Sequence, residues 1–370
     1  MLIERVRVQD LRSLRAVDWQ PAPGFNVLVG DNGTGKTSVL EAVHLLAHAR
    51  SFRGRVRDGL VRVGALELQV HLQWREPGGR RRGAGLRHSG SQWQARLDGA
   101  EVAQLSDLCA ALAVVSFEPG SHALVQGGAE HRRRYLDWGL FHVERGAADG
   151  GGFLPVWRRY ARALKQRNAL LRQRGGQGEL EAWEHELAQS GEALTRYRQQ
   201  QVEALQPRVA ATLAALLPAA GTLRLALQPG WRSDALALAD ALLLARERDR
   251  QLGHTSLGPH RAELQLAFSA LPGREALSRG QAKLVALALL LAQAGQLAEL
   301  HGAWPVLQLD DLASELDAAR RAEVLALLAG SGAQVLITGT DLAALGDLPA
   351  PAAVFHVEHG ALRLAGGRAH

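Results

Sequence analysis

The chain contains a single cysteine, Cys109, in 370 residues. One thiol excludes an internal disulfide framework, and without a second cysteine nearby it also excludes a zinc hook or ribbon. Lysine is almost as scarce. Only Lys36, Lys165 and Lys283 occur among 43 basic residues, so arginine carries nearly all of the positive charge, and the formal net charge is +6. That bias, with so much Ala, Gly and Leu, is explained as well by a G+C-rich genome as by a need for guanidinium chemistry. Long apolar runs are also lacking. The most apolar, Leu284 to Ala292, meets Gln293 and falls short of the roughly 20 residues that cross a bilayer. The first residues carry charge from Glu4 onward and alternate in strand fashion, unlike the charged and then apolar regions of a signal peptide. A soluble cytoplasmic protein with no membrane association is expected.

What is present is a chain that is 47% hydrophobic, enough for a sizeable core and about two domains. Ile3, Val6 and Val8, then Val17 and Trp19, predict an opening hairpin. Phe25 to Val29 predicts a short buried strand, with a helix from Thr37 to about His48. Alternation over Leu66 to Trp74 and a further strand near Trp93 to Leu97 predict an antiparallel region. From about Pro155 the period becomes helical: Trp157, Tyr160, Leu164 and Leu171, a break at Gly175 to Gly178, then Leu180, Trp183, Leu187, Leu194 and Tyr197. This predicts a hairpin of two helices of about 20 residues, each about 30 Å long, followed by further helix through Arg248. Strand and helix then alternate again, with strands at Val306 to Leu309 and Gln334 to Thr338 and a last hairpin near Phe355 to Leu364. The expected class is α/β: a P-loop NTPase head with mixed sheets, split over 1–125 and 251–370, with a helical lobe inserted over 126–250.

The strongest chemical signal is Gly30-Asp31-Asn32-Gly33-Thr34-Gly35-Lys36-Thr37, a GxxxxGK[ST] loop between a predicted strand and a predicted helix. Glycines there let backbone N–H groups face the phosphates of ATP at a helix N-terminus. Lys36 supplies a point charge, and the Thr37 hydroxyl reaches Mg²⁺. Val306 to Leu309 is an apolar strand ending in Asp310 and Asp311. Asp310 then stands where Mg²⁺ would sit and Asp311 where a hydrolytic base would. Two acids after an apolar run could equally cap a helix; the flanking motifs give them weight. Upstream, Leu277-Ser278-Arg279-Gly280-Gln281 reads as a variant of the LSGGQ signature of ABC ATPases, and downstream Ala313 to Asp317 is similar to their D-loop.

Signature, Walker B and D-loop at short intervals, with the P-loop far upstream, separate this class from GTPases and RecA-like ATPases. In the class, Ser278 and the N–H groups of Gly280 and Gln281 would face a γ-phosphate held by a second subunit, so an ATP-dependent homodimer is implied. As a local feature, Ser278 is a plain helix N-cap in either case. Asp311 is one methylene shorter than the glutamate usual there, so slow hydrolysis, suited to a switch, is expected. After the strand Val335 to Ile337 come Thr338, Gly339 and Thr340 in place of a switch histidine; a hydroxyl could contact the γ-phosphate there.

With these motifs, the chain resembles the RecF family nearly end to end. The resemblance also includes Ser51-Phe52-Arg53, Arg132-Arg133-Arg134-Tyr135-Leu136-Asp137 and Gly258-Pro259-His260-Arg261. One departure is that Ala262 and Glu263 follow where the family usually has an acidic pair. The resemblance implies a cytoplasmic protein that binds DNA in an ATP-dependent way and acts with RecO and RecR to load RecA at gaps, in replication, repair and the SOS response. Electrostatics supplies separate support. Arg53, Arg55 and Arg57, Arg80 to Arg82, Arg132 to Arg134, and Arg158, Arg159, Arg162, Lys165 and Arg167 form basic clusters, although each could be a solvated face. Competing readings are the nucleotide-binding subunit of an ABC transporter, an SMC-type head, for which 370 residues leave no room for long coiled coils, and an interaction module with a decayed ATP site.

Overall fold

The computed structural model describes residues 1–54, 59–90, 92–144, 152–173, 177–358 and 360–365. They cluster into two compact units, Met1–His122 with Ser278–His370, and Ala123–Leu277.

The first unit opens with strands β1 (Leu2–Leu11), β2 (Leu14–Trp19) and β3 (Phe25–Val29), helix α1 (Lys36–His48), strands β4 (Leu68–Arg75), β5 (Arg81–His88), β6 (Trp93–Leu97) and β7 (Ala100–Glu101), helix α2 (Ser106–Ala111) and strand β8 (Val114–Phe117). The second unit contains helices α3 (Ala123–Gln126), α4 (Ala129–Val143), α5 (Phe153–Gln173) and α6 (Gln177–Leu216), strand β9 (Leu223–Gln228), helix α7 (Leu238–Leu252) and strand β10 (Glu263–Phe268). The first unit resumes with α8 (Arg279–His301), β11 (Val306–Leu309), α9 (Leu312–Glu315), α10 (Ala318–Ala329), β12 (Val335–Gly339), α11 (Leu342–Leu345), β13 (Ala352–Glu358) and β14 (Ala361–Leu364).

Two six-stranded sheets build the first unit. One, in the order β2-β1-β4-β5-β6-β7, is antiparallel. Its strands alternate in burial, as a sheet with one face on a core must. The other runs β14-β13-β3-β12-β11-β8 and is parallel except for the β13–β14 hairpin. Here β3 and β12 are buried at every position, which is why their sequences are mostly apolar, and the one carboxamide within β3, Asn26, is satisfied by the backbone of Ala22 and Gly24. Helix α1 is buried at every residue except Thr37 and His48, and Val39, Leu40, Val43 and Leu46 share one core with the inner faces of both sheets. Gln334 stitches the sheets together. Its carboxamide accepts from Ile3 N–H at 2.7 Å and donates to Ile3 C=O at 3.0 Å and Ala22 C=O at 2.9 Å.

The second unit departs from the expected hairpin. Helix α6 has 40 residues against 21 in α5, so α6 is about 60 Å long at 1.5 Å per residue. Its apolar spacing does not stop at Tyr197 but continues through the buried Val202, Leu205, Val209, Leu213 and Leu216. Strand β9 interrupts what the sequence reading took as helix through Arg248: Leu223 and Leu225 turn inward while Arg224 and Ala226 turn outward. Because β9 pairs with β10 over Leu223 to Gln228, residues 251–277, assigned above to the head, cluster with the second unit instead. The break at Gly175 to Gly178 lies partly outside the described residues.

One helix among the described residues, α8, is long and apolar enough to cross a membrane by length and composition, longer than the run Leu284 to Ala292 suggested. Most of it is buried within the fold, from Ala282 to Leu297, so its apolar character is accounted for by core packing.

Candidate functional site

Strand β3 delivers the chain to Gly30, and α1 begins at Lys36. Between them Gly30, Gly33 and Gly35 have φ of 153°, 84° and 111°, values that L-residues with a side chain rarely adopt. At two of the three, space is closed as well. A Cβ on Gly30 would stand 2.4 Å from Val357 O, and one on Gly35 would stand 2.5 Å from Leu14 Cδ2. The loop is thus pressed between the last hairpin and the β1–β2 turn. The Lys36 ammonium donates to Gly30 O at 2.6 Å and to Asp31 O at 2.7 Å. Burial pulls its pKa below the usual lysine value, opposed by the negative charges of Asp311, Asp310 and Asp31.

The sheet order decides what faces this loop. Strand β12 lies between β3 and β11, and its register brings Thr338 level with Asp310. Asp310 Oδ1 accepts from Thr37 Oγ1 at 2.9 Å and from Thr338 Oγ1 at 2.7 Å. The Thr338 hydroxyl in turn accepts from Asp311 N–H at 2.8 Å. Thr338 is therefore occupied in aligning the two aspartates, a different task from the γ-phosphate contact that its sequence position suggested. Burial raises the Asp310 pKa, and the two hydroxyls work against that rise.

The oxygen pair fits Mg²⁺. A hydroxyl and a carboxylate are the hard oxygen donors that this ion takes, and Thr37 Oγ1 and Asp310 Oδ1 stand together, hydrogen-bonded, beside the glycine loop. Asp311 sits in the left-handed region, with φ 52° and ψ 43°, and its carboxylate accepts from Ser314 Oγ at 2.9 Å. The D-loop is fixed from behind. Glu315 pairs with Lys283 of α8 at 2.6 Å, and Asp317 caps α10 by accepting from Arg320 N–H at 2.9 Å.

Ser278 opens α8 with a capping box. Its hydroxyl accepts from Gln281 N–H at 3.2 Å while Ser278 N–H donates to Gln281 Oε1 at 2.9 Å. Ser278 and Gly280 are exposed, and nothing stands within 4 Å of a Cβ built on Gly280. The structure thus brings Lys36, Thr37, Asp310 and Asp311 together, while Ser278, Gly280 and Gln281 form an open helix terminus of their own.

The family described as RecF/RecN/SMC N terminal domain matches residues 2–363. A DNA replication and repair protein RecF from Stenotrophomonas maltophilia (strain R551-3) is 59% identical over 97% of this chain and 98% of its own length. This chain belongs to the RecF family. A RecF from Pseudomonas paraeruginosa (strain DSM 24068 / PA7) is 38% identical over 97% of each chain. Among solved structures, one described as the recombination mediator protein RecF-ATPrS in the RecFOR pathway matches with a TM-score of 0.83 and 25% identity over 98% of each chain. An SmcHead bound to the C-winged helix domain of ScpA matches in fold, with a TM-score of 0.59 over 99% of this chain and 97% of its own. The fold is therefore an ABC-ATPase-type head shared by RecF and SMC proteins.

The further RecF motifs acquire a physical reading. Glu41 of α1 is fully buried. It accepts from Arg12 Nη2 at 2.9 Å and from the Ser51 hydroxyl, with Arg53 3.8 Å away, so Ser51-Phe52-Arg53 helps to satisfy a buried carboxylate. In the second unit, Arg132 donates to Leu124 O, Val125 O and Gly127 O at 2.9–3.1 Å and forms a fork with Glu263 at 2.5 and 2.8 Å. The one acid kept after Gly258 to Arg261 is thus the arginine's partner. Asp137 pairs with Arg198 at 2.8 and 2.9 Å, Arg198 also donates to Pro259 O at 2.7 Å, and Tyr160 Oη meets His260 Nδ1 at 2.6 Å. The two sequence-distant motifs are one buried polar cluster.

That finding revises the basic clusters. Arg132 and Arg167 are fully buried, the latter between Glu184 at 2.9 Å and Asp249 at 2.7 Å, so neither can meet a phosphate on the surface. Arg55 and Arg57 lie outside the described residues, whereas Arg53, Arg80, Arg81, Arg134, Arg159, Arg162 and Lys165 are exposed.

Two features of the RecF head were missed in the sequence. Register pairs Phe117 with Leu309, so Glu118 comes level with Asp310. Burial pushes its carboxyl up to about 7, against the Gly120 N–H and with the help of Asp310 and Glu315. The available signal was a second short apolar strand, Val114 to Phe117, ending in an acid. Beneath it, Gln308 Nε2 donates to Leu40 O at 3.1 Å, Ser116 donates to Gln308 Oε1 at 2.8 Å, and His44 Nδ1 lies 2.9 Å from Ser116 Oγ. Since the serine's one proton is committed to Gln308, His44 Nδ1 is the donor. This chain ties α1 to β8 and β11.

Proposed function

We propose that the chain is an ATP-dependent DNA-binding recombination mediator of the RecF type, which dimerises on ATP and acts with RecO and RecR to load RecA at DNA gaps in replication, repair and SOS induction. The observation that carries the nucleotide part is the shared carboxylate oxygen of Asp310, bonded by both Thr37 and Thr338 next to the glycine loop. In this reading the N–H groups from Gly30 to Thr37 and the Lys36 ammonium bind the phosphates. Thr37 and Asp310 would hold Mg²⁺, which would supply positive charge beside the phosphates. Asp311 orients the attacking water, and its short side chain makes hydrolysis slow, as in a switch. Family membership, the ATPrS complex of a similar protein and the helix cap at Ser278, Gly280 and Gln281, with Ser278 and Gly280 exposed, support dimerisation around ATP. The location would be the cytoplasm. The transporter-subunit reading has no observation in its favour.

The test is sedimentation with and without Mg-ATP, in parallel with DNA binding across a salt series, for the wild type and Asp311→Asn. A dimer that forms with Mg-ATP, persists longer in Asp311→Asn and binds DNA with a steep salt slope is the expected result. A monomer indifferent to Mg-ATP would overturn the dimer reading. Retention of ATP by Lys36→Ala at wild-type affinity would overturn the phosphate-loop assignment.

A further inference from the structure

Three hollows lie side by side on the outer face of the antiparallel sheet. The largest, about 580 Å³, is walled by Arg80, Arg81 and Arg96, with His71 beside it and Gly83 and Gly85 along its floor. The second, about 360 Å³, shares Arg81, Arg82 and Gly83 and extends to Arg5 on β1. The third, about 370 Å³, shares His71, Gly85 and Arg96 and extends to Arg87. Shared walls make these one groove following β5.

The sequence explains the shape. Outward positions on a strand alternate, and on β5 they are Arg81, Gly83, Gly85 and Arg87. Gly83 and Gly85 sit opposite Gln73 and His71, and leaving out two side chains there sinks the floor between arginine walls. Five arginine side chains line the groove (5, 80, 81, 87 and 96) against the carboxylates of Glu4, Asp98 and Glu101, while Arg82, of the opposite parity on β5, lies over the buried Trp74. Some are already engaged. Arg5 pairs with Asp18 at 2.5 Å and Arg87 with Glu67, so the charge left over sits on Arg80, Arg81 and Arg96. Arg80 and Arg81 keep 68% and 75% of their side chains exposed, with longer pairings of 3.6 Å to Asp98 and 3.1 Å to Glu4. Arg96 is exposed and makes no ion pair among the described residues.

We propose that this groove on the sheet formed by β1, β4, β5 and β6 holds the sugar–phosphate backbone of a DNA strand. The inference rests on the DNA-binding reading above and assigns it a surface. Charge complementarity favours a polyanion. A protein partner needs an apolar centre to its interface, and none of the exposed large apolar side chains among the described residues lies on these four strands. With arginine tips as walls and a backbone floor whose N–H groups are used in the ladder, contact is to phosphates, so little base specificity is expected.

The experiment measures binding of a labelled 40-nucleotide oligo-dT and a 40-base-pair duplex to the full chain with Mg-ATP, from 50 to 200 mM salt. The proteins are wild type, Arg81→Glu/Arg96→Glu and the milder Arg81→Gln/Arg96→Gln. A fluorescent ATP analogue reports the nucleotide site in each. The expected result is unchanged nucleotide binding, DNA affinity more than tenfold weaker in the reversal pair, and a salt slope shallower by about 0.7–0.9 for each lost phosphate contact in both pairs. Wild-type affinity and slope in both variants would overturn the groove while leaving the DNA-binding reading intact. Failure of the wild type itself to bind either DNA would overturn both. Loss of binding to an acidic protein partner, with DNA binding untouched, would overturn the choice of DNA.

Discussion

Thr338 Oγ1 donates to Asp310 Oδ1 across 2.7 Å and accepts from Asp311 N–H at 2.8 Å, so one hydroxyl on β12 fixes both acids at the end of β11. Thr338→Val keeps the shape and removes both bonds. It leaves the Asp311 N–H without its acceptor, at a cost of about 1–3 kcal/mol. A melting temperature lower by a few degrees and Mg-dependent ATP affinity down by about tenfold are expected, while Thr338→Ser retains both properties. Calorimetry and titration with a fluorescent ATP analogue check this.

Gly30→Ala should damage the loop through its backbone. The new Cβ would stand 2.4 Å from Val357 O at a φ of 153°, and strained backbone of this kind costs about 1–3 kcal/mol before the contact is relieved. ATP binding is expected to fall at least tenfold, with a lower urea midpoint. Gly33→Ala shares the unfavourable φ but has open space around it, so its loss of stability should be smaller. Equal losses would show that the contact with Val357 is relaxed without cost.

Arg198→Ala leaves Asp137 in a site where its side chain is only 13% exposed, without its bidentate partner. Removing one member of a buried pair costs about 3–5 kcal/mol. The expected outcome is a large drop in the urea midpoint, partly recovered by Arg198→Met combined with Asp137→Asn. A double variant as unstable as the sum of the single ones would argue against direct coupling.

Acidification should destabilise the fold through its histidines. Burial lowers His260 from 6.5 to about 4 and His48 from 6.5 to about 3, and pulls His44 well below 6.5. Between the unfolded and folded values the unfolded chain binds more protons, so stability is full above about pH 6.5 and is lost as pH falls through that window. For His260 the loss approaches about 3 kcal/mol near its folded value. Glu118 acts in the opposite sense. Its carboxyl, raised from 4.5 to about 7, makes the folded state bind the extra proton between those values. Three histidines outweigh one carboxyl, so the urea midpoint should fall from pH 7 to pH 4.5, and fall more steeply in Glu118→Gln. A midpoint independent of pH would contradict the burial of these imidazoles.

Much of the site was legible because its signals are contiguous. The glycine loop, Asp310 after an apolar strand and Ser278 before an apolar helix each state their own backbone geometry within a few residues. Three positive φ values and a capping box follow directly from them. The parallel strands β3, β11 and β12 were legible for the same reason, as short and mostly apolar runs, whereas β8 was not read. Helix α6 was read short because its middle, from Gln199 to Gln201, is polar while the inward spacing carries on beyond it.

Sequence by itself determined which residues form the glycine loop and that an ABC-ATPase-type head is present, since backbone preference and hydrophobic period act locally. Tertiary structure alone decided what those residues meet. Thr338 reaches Asp310, and Glu118 comes level with it, only because β12 and β8 flank β11 in the sheet. Arg132 and Arg167 look like Arg81 and Arg96 in a list of charges. The first two are buried against Glu263 and Asp249 and the others line an open groove, because a side chain's solvation and partners depend on strand order and packing across the chain, which a local pattern of residues does not encode.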